Sequence, residues 1–447
     1  MCPSFDFPVF LLSYIRAIPA NLHTFFTMAP QLHQRPPFRA EHLGSLLRPH
    51  NLLDTKIAYE AGKTTEAELT AVEDKEVKDI IKTQQKLGYA AISDGEYRRH
   101  MFWGTFFPGL DGFEEVNNVD VDDFRPYAPD IAAFLEAGHK PGESVICTGK
   151  IKHVGSTYID QFKYLASQVP AEEVKNLKIT LAAPTGTTCA TVRARLTPSL
   201  CTPTMRTTLA TLPRPTKPSS RSCMMPDAAT SNLTTPTWPV RESLFDHSRI
   251  IQLTNFLDFC SEKFLNGFKE DSLNVYSADD MFEKYIKQYN DIFVGLPADL
   301  HVGVHLCRGN FVGSRHFSEG GYDRIAIKLF QELNVHTYYL EYDTPRSGGF
   351  EPLKFLPTHK NVILGVVTSK FAKLEDKEEM KKRVIDAAKF IAEGNNISLD
   401  AALNQVGVSP QCGFASHREG NAIDWDGMIN KLQLVRDIAN DIWPNQA

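Results

Sequence analysis

The chain has 447 residues, of which 42% are hydrophobic, 10% aromatic and 23% charged, and its formal net charge is −6. This composition is globular and excludes collagen-like, coiled-coil and wholly disordered proteins. Without a basic surplus we expect no nucleic-acid partner, and without an apolar run of roughly 20 residues we expect no membrane span. Eight cysteines are too few for a disulfide scaffold in a chain this long, which predicts a reduced, cytoplasmic protein.

The first 37 residues are predicted to be a disordered leader. Phe7–Tyr14 is apolar, but no basic segment precedes it and no small-residue cleavage site follows it, which disfavours a secretory signal peptide. Met28 opens a polar, proline-containing stretch and is an alternative translation start. A single catalytic domain is therefore expected over residues 38–445.

From residue 38 onward, short apolar runs alternate with longer amphipathic segments, a pattern that predicts parallel βαβ units. Helices are predicted over Glu66–Leu87, Ala278–Phe293 and Asp376–Gly394. Seven buried strands are visible, one fewer than the eight of a (β/α)₈ TIM-type barrel. They are Leu43–Leu47, Tyr89–Ser93, Ile179–Ala183, Val302–Leu306, His336–Leu340, Val362–Val367 and Val406–Val408. We therefore predict an α/β barrel with a disrupted fourth strand.

The segment 185–255 interrupts this pattern. Thr185–Pro239 contains fifteen Thr, one acidic residue and no Ile, Phe or Tyr, which is typical of a disordered linker but out of place within an α/β domain. Codons shifted by one base permit WYHLRHG and YDAGCRNIQLDDPNLA in this window, both plausible barrel sequence. We interpret 185–239 as an out-of-frame reading and Val240–Asn255 as translated intron, in which Ile250–Leu253 is β-prone enough to occupy the fourth-strand position.

Four potential metal ligands follow predicted strands in the C-terminal third. His305 and Cys307, in HVGVHLC, are two residues apart and so point to one face of a strand. Glu341 ends the next strand, and Cys412 follows the last one, in SPQCG. Barrel active sites lie at these strand ends, and thiolates favour Zn²⁺ over magnesium or calcium. On spacing alone the cysteines are also compatible with buried hydrophobic positions.

These motifs resemble the catalytic barrel of cobalamin-independent methionine synthase, specifically its shorter single-barrel relatives, over about 38–184 and 256–445. The resemblance implies a zinc-dependent methyltransferase that transfers a methyl group from a 5-methyltetrahydrofolate-type donor to homocysteine, giving methionine. It implies Zn²⁺ as the cofactor and His305, Cys307, Glu341 and Cys412 as its ligands. The ligand atoms are then expected within roughly 4 Å of one another.

The same resemblance implies a homocysteine site near the N-terminus of the barrel. Leu43, Gly44 and Ser45, in EHLGSLLRP, match the family's homocysteine-binding segment. Glu96, in SDGEYRR, matches the acidic residue that holds the homocysteine amino group. Without the resemblance, Gly44 and Ser45 are explained by a turn and Glu96 by a solvated charge.

The chain departs from the family where the methyl donor is concerned. The family's general-acid His follows the seventh strand, where this chain has Val366–Lys370, VVTSK. His417, near Cys412, is a candidate substitute, and a surface histidine is the alternative. The folate-stacking Trp and the fourth-strand carboxylate occur only in the shifted frame, as WYH and DDP. A folate amine needs leaving-group protonation, whereas thiol activation does not depend on these groups.

Two other functions stay open. One is a decarboxylase of the related porphyrin-processing barrel, which needs no metal and so leaves the four-ligand set unexplained. The other is a catalytically impaired zinc-binding barrel from a mis-spliced or frameshifted gene. Arg346, followed by Ser-Gly-Gly, is predicted either to hold a carboxylate or to form a plain turn.

Overall fold

The fold is described from a computed structural model of the chain. It describes residues 39–182, 250–256 and 258–444, except 102–103, 105–108, 118–123, 137–142, 156, 273, 275, 298–299 and 312. The expected leader over 1–37 and the segment 183–249 lie outside the described residues. The proposals of a shifted frame and an intron therefore stay predictions, as does a single catalytic domain over 38–445.

The strands of the described residues form one antiparallel two-stranded sheet and one parallel sheet. The small sheet pairs β1 with β2, and the six strands β3 to β8 follow one another in the parallel sheet in chain order. The chain is therefore a mixed α/β protein with a parallel sheet. The bounds are Leu110–Asn117 (β1), Glu143–His153 (β2), Lys178–Ala182 (β3), Ile250–Phe256 (β4), His301–Cys307 (β5), Thr337–Glu341 (β6), Asn361–Val367 (β7) and Val406–Pro410 (β8).

Of the first two predicted strands, Tyr89–Ser93 is present as a single bridge, whereas Leu43–Leu47 has no strand pairing and the bridge at that edge lies three residues before it, at Ala40. Ala40 pairs in parallel with Val408 at one edge of the sheet, and Ile92 pairs in parallel with Leu177, just before β3, at the other. The two segments also meet each other, since the Leu46 amide donates to the Gly95 carbonyl at 3.1 Å. These contacts are the ones that closure into a barrel requires, and an eight-stranded barrel stays a prediction.

The expected disruption of the fourth strand is wrong for the described residues. Ile250–Phe256 pairs in parallel with β3 on one side and with β5 on the other. The prediction that Ile250–Leu253 takes this position is confirmed, because an apolar, β-branched run fits a pleated and covered surface whatever its origin. Gln252 in this strand is buried, and its side-chain amide donates to the Leu43 carbonyl at 3.1 Å.

The predicted helices are confirmed to within one residue at each end. Thr65 with Glu68, and Ser277 with Asp280, form reciprocal capping boxes that fix two helix starts. The bounds are His50–Glu60 (α1), Glu66–Lys86 (α2), Pro129–Glu136 (α3), Thr157–Ser167 (α4), Glu262–Glu270 (α5), Ala278–Phe293 (α6), Ala326–Glu332 (α7), Lys377–Asn395 (α8), Leu399–Leu403 (α9) and Trp425–Ile442 (α10). Among the described residues, none of these helices is long and apolar enough to cross a membrane.

The core lies on both faces of the parallel sheet. Strands β5, β6, β7 and β8 are buried along their whole length, as expected for a parallel sheet covered on both sides. One buried ion pair links the sheet to the segment before α1: the Lys178 ammonium lies 2.7 Å from Glu41 Oε2, and neither side chain is exposed. The parallel sheet therefore places together the side chains at the carboxyl ends of β5, β6 and β8.

Candidate metal centre and substrate site

The four sequence-predicted ligands converge on one point. His305 and Cys307 are in β5, Glu341 is the last residue of β6, and Cys412 lies two residues after β8. One ligand atom from each lies within 4.8 Å of the others, and all four residues are buried. The spread is slightly wider than the expected 4 Å. The two sulfurs are 3.6 Å apart, close to the roughly 3.8 Å edge of a tetrahedron with zinc–sulfur bonds of about 2.3 Å.

His305 is oriented by its ring nitrogen remote from the cluster. Its Nδ1–H donates to the Tyr339 carbonyl at 3.1 Å, which fixes the tautomer. Its buried Nε2 has no hydrogen-bond partner among the described residues. Burial alone lowers the pKa of His305, but the neighbouring Cys412 and Glu341 outweigh it and raise the pKa. A buried nitrogen with a free lone pair beside two sulfurs fits a metal ligand.

The two thiols share their protons unequally. The hydrogen bond between them holds the pKa of Cys412 well below its usual value and raises the pKa of Cys307 well above it. The Gly309 amide donates to Cys307 Sγ at 3.3 Å, and Ser416 Oγ lies 3.8 Å from Cys412 Sγ. A divalent ion bound by both sulfurs would favour the thiolate form of each.

The Glu341 carboxylate is held by a backbone amide and by a guanidinium. The Arg308 amide donates to Oε1 at 3.0 Å, and the Arg346 guanidinium donates to Oε2 at 2.9 Å. Burial raises the pKa of Glu341, but Arg346, Arg308, His305 and Lys370 together lower it below its usual value. The carboxylate is therefore ionised, as a metal ligand must be. One imidazole, two thiols and one carboxylate, all buried, fit Zn²⁺.

The predicted substrate segment lies beside the loop that carries Cys412. The Phe414 amide donates to the Ser45 carbonyl at 2.9 Å, and a Cβ atom at Gly413 would overlap Ser45 Oγ. Gly44 has φ +109°, and a Cβ there would overlap the Thr180 methyl. Leu43 packs against Tyr339 and Ile363.

Glu96 is buried at the same place rather than solvated. Its Oε1 accepts from Thr180 Oγ1 at 2.6 Å and lies 3.7 Å from Arg99, while its buried Oε2 has no hydrogen-bond partner among the described residues. Burial raises the pKa of Glu96 despite Arg99. Its φ of +60° is rare for a residue with a side chain, and such strain often marks a functional site. One oxygen is thus available for a donor such as an amino group.

His417, the candidate general acid, is buried, so the surface interpretation is wrong. Its Nδ1 lies 2.9 Å from Glu419 Oε2, and its Nε2 has no hydrogen-bond partner among the described residues. After β7, the buried Lys370 donates from its ammonium to the Gly309 and Arg315 carbonyls at 3.0 Å each. Neither arrangement assigns a proton donor.

Sequence reasoning missed the groups that support the ligands. Arg308 immediately follows Cys307, and this adjacency to a predicted ligand was the available signal. Thr180 and Lys370 carry no motif, and their roles depend on contacts between strands distant in sequence. The Arg346 guanidinium pairs with the carboxylates of Glu341 and Asp343. Of the two predictions for this segment, a residue that holds a carboxylate is therefore confirmed, and the carboxylates are the protein's own.

No protein-family model matches the chain. The uncharacterized protein YxjG of Bacillus subtilis strain 168 is 30% identical over 421 residues, covering 92% of this chain and 96% of that protein. The uncharacterized protein YxjH of the same organism is 28% identical over 426 residues, with the same two coverages.

Two solved structures share the fold. A candidate vitamin-B12-independent methionine synthase from Listeria monocytogenes has a TM-score of 0.58 and 24% identity, covering 92% of this chain and 99% of that one. A B12-independent methionine synthase from Shewanella sp. W3-18-1, solved with selenomethionine, has a TM-score of 0.54 and 16% identity, covering 91% and 97%. At these identities the likeness establishes the fold, whereas the similarity to YxjG extends to the sequence along nearly the whole chain: the protein belongs to the family of Bacillus subtilis YxjG.

Proposed function

We propose that the protein is a zinc-dependent methyltransferase that methylates homocysteine to methionine, on an eight-stranded (β/α)₈ barrel. The observation that carries the proposal is the buried convergence of His305, Cys307, Glu341 and Cys412. The likeness to methionine synthase-like structures, one of them bound to selenomethionine, supports the same substrate class. We expect the protein to act in the cytoplasm.

The thiol and the amino group of homocysteine each have a complementary group in the proposed site. Zn²⁺ held by the four ligands would lower the pKa of the substrate thiol, so that a thiolate exists at neutral pH. The unpartnered Oε2 of Glu96 would accept a hydrogen bond from the substrate's amino group. The bond from Thr180 to Oε1 holds the Glu96 carboxylate in place. Ser45 and the backbone of Gly44 would lie along the substrate between these two points.

Methyl transfer would proceed by displacement at carbon. The substrate sulfur attacks the methyl carbon as the bond from that carbon to the donor nitrogen breaks, and the nitrogen takes up a proton. We propose a 5-methyltetrahydrofolate-type donor. His417, oriented by Glu419, is the proposed proton source, and its buried Nε2 is the atom that would deliver the proton.

The test of the metal and substrate uses the full chain. Purified wild type is expected to bind one zinc ion and, because the groups associated with folate are absent from the chain as written, to form methionine from homocysteine and a folate donor at a severely reduced rate. Cys412→Ser should lose zinc and activity together. Cys260→Ser is the matched control, because Cys260 is also a buried cysteine outside any disulfide but lies outside the cluster. Equal zinc content and activity in Cys412→Ser and wild type would refute the proposal.

The test of the donor compares this chain with one in which 185–239 is replaced by the shifted-frame reading. The restored chain contains the Trp and the paired carboxylates that the resemblance associates with folate, so its folate-dependent activity should be much higher. Equal activity of the two would refute the frameshift interpretation. Activity of the restored chain with a simpler methyl donor alone would overturn the folate assignment and leave the zinc site intact. Zinc binding by both chains, with methionine formed only by the restored chain, would favour the impaired barrel for the chain as written.

A further inference from the structure

The Glu341 carboxylate differs from the other three ligands because both of its oxygens already have partners. Oε1 accepts from the Arg308 amide and Oε2 from the Arg346 guanidinium. By contrast, His305 uses the nitrogen remote from the cluster for its hydrogen bond and leaves Nε2 available. The sulfurs of Cys307 and Cys412 are already at nearly the separation that zinc requires. His305, Cys307 and Cys412 are therefore already arranged as ligands, whereas Glu341 is paired with the Arg346 guanidinium.

Arg346 is itself fixed and cannot follow Glu341 away from this position. One of its terminal nitrogens, Nη2, lies 2.9 Å from Glu341 Oε2 and 3.0 Å from Asp343 Oδ1. Its Nη1 donates to Thr344 Oγ1 at 3.0 Å, and its backbone carbonyl accepts from the Gly320 amide at 2.9 Å. The side chain is only 9% exposed. A guanidinium anchored this way is a preorganised hydrogen-bond donor to a carboxylate.

The charge of Arg346 acts against metal ligation by Glu341. A guanidinium and a zinc ion that share one carboxylate repel each other, and each weakens the other's hold on the oxygens. Oxygen is also the weakest donor of the set for zinc in the presence of two thiolates. Loss of Glu341 from the ion would therefore leave the carboxylate paired with Arg346 rather than buried and alone.

We propose that Arg346 is a positioning residue that holds the Glu341 carboxylate off the zinc when homocysteine binds, so that the substrate sulfur takes the fourth ligand position. The inference rests on the proposed function, because it assumes the zinc site. It assigns Arg346 a role opposite to that of a residue that merely orients a ligand. Loss of an orienting residue typically weakens metal binding by about 10- to 100-fold.

The test measures metal and substrate binding instead of turnover. Zinc affinity of Arg346→Gln and wild type is compared by competition with a chromogenic chelator, and homocysteine affinity by absorption titration of the cobalt-substituted proteins. We expect no loss of zinc affinity in Arg346→Gln, together with at least about tenfold weaker homocysteine binding. Arg324→Gln, which removes the surface pair with Asp279, is the matched control and should change neither.

Two further variants keep the result decisive. Arg346→Lys retains the charge without the fork, should be intermediate, and carries the test if Arg346→Gln does not fold. In the Glu341→Gln background, Arg346→Gln should have no further effect on homocysteine affinity. Weaker zinc binding, or unchanged homocysteine binding, in the Arg346 variants overturns the inference alone. A wild type that binds no metal refutes the proposed function and the inference with it.

Discussion

Replacing Glu96 by Gln should stabilise the fold and weaken the binding of homocysteine. Glu96 is buried with one unpartnered oxygen, and burial raises its pKa from the ordinary 4.5. A buried carboxylate carries a desolvation penalty that the neutral amide of Gln does not, and Gln keeps the acceptor for Thr180 while it removes the charge. We therefore expect the free energy of unfolding at pH 7 to rise by an amount on the order of 1 kcal/mol.

The pH dependence of this gain follows from the direction of the pKa shift. Because the folded pKa is raised, the folded state binds more protons than the unfolded state between the ordinary value and the folded pKa, and wild-type stability falls as pH rises through that window. Below about 4.5 the carboxyl is protonated in both states and the penalty is absent. The advantage of Glu96→Gln should therefore vanish as the pH approaches 4.5, as measured by urea denaturation at several pH values.

Homocysteine binding should change in the opposite direction. A hydrogen bond to a charged group contributes about 1.5–3 kcal/mol, which corresponds to a loss of about 10- to 150-fold in affinity. Isothermal titration with homocysteine measures this loss. Glu73→Gln is the control, because Glu73 pairs with Lys56 and Arg98 away from the site; it should not become more stable and should leave homocysteine affinity unchanged. A Glu96→Gln protein that is destabilised, or that binds homocysteine normally, would contradict the assigned role.

Three other predictions follow from the described contacts. Zinc at 100 times its Kd should raise the free energy of unfolding by about 2.7 kcal/mol; thermal unfolding of Cys307→Ser should show no such rise, and a rise in that variant would contradict the site. Gly44→Ala should abolish homocysteine binding. It should also destabilise the fold by more than the roughly 1–2 kcal/mol that a left-handed backbone costs a residue with a side chain, since its Cβ would overlap Thr180. Gly62→Ala is the control: with φ +67° and no atom within 4 Å of its Cβ, it should lose only that backbone strain energy, as measured by urea denaturation. Burial of Lys360 lowers its pKa to about 7 from 10.5, so the unfolded state binds more protons between these values and stability should rise with pH there, by up to about 1.4 kcal/mol per unit; Lys360→Met should flatten this slope, and equal slopes would refute the assignment.

The sequence predicted the helices from local spacing, and it predicted the four candidate ligands from spacing together with the family resemblance. The capping residues and the 3.6-residue period of α2 and α6 are legible in one segment at a time. The two-residue spacing of His305 and Cys307 places them on one face of a strand whatever the strand packs against. Glu341 and Cys412 could be placed near His305 and Cys307 because the carboxyl ends of parallel strands lie at one edge of a sheet.

The tertiary structure decided what depends on pairing between distant segments. Composition indicated that the fourth strand was lost, yet Ile250–Phe256 occupies the place between β3 and β5, because an open ladder on both sides accepts any apolar β-prone run. Whether Glu96 was solvated or buried depended on its contact with Thr180, and whether Arg346 would hold a carboxylate or form a plain turn depended on its contacts with Glu341 and Asp343. Such contacts are set by how strands and loops are brought together in space, and residue spacing along the chain does not encode them.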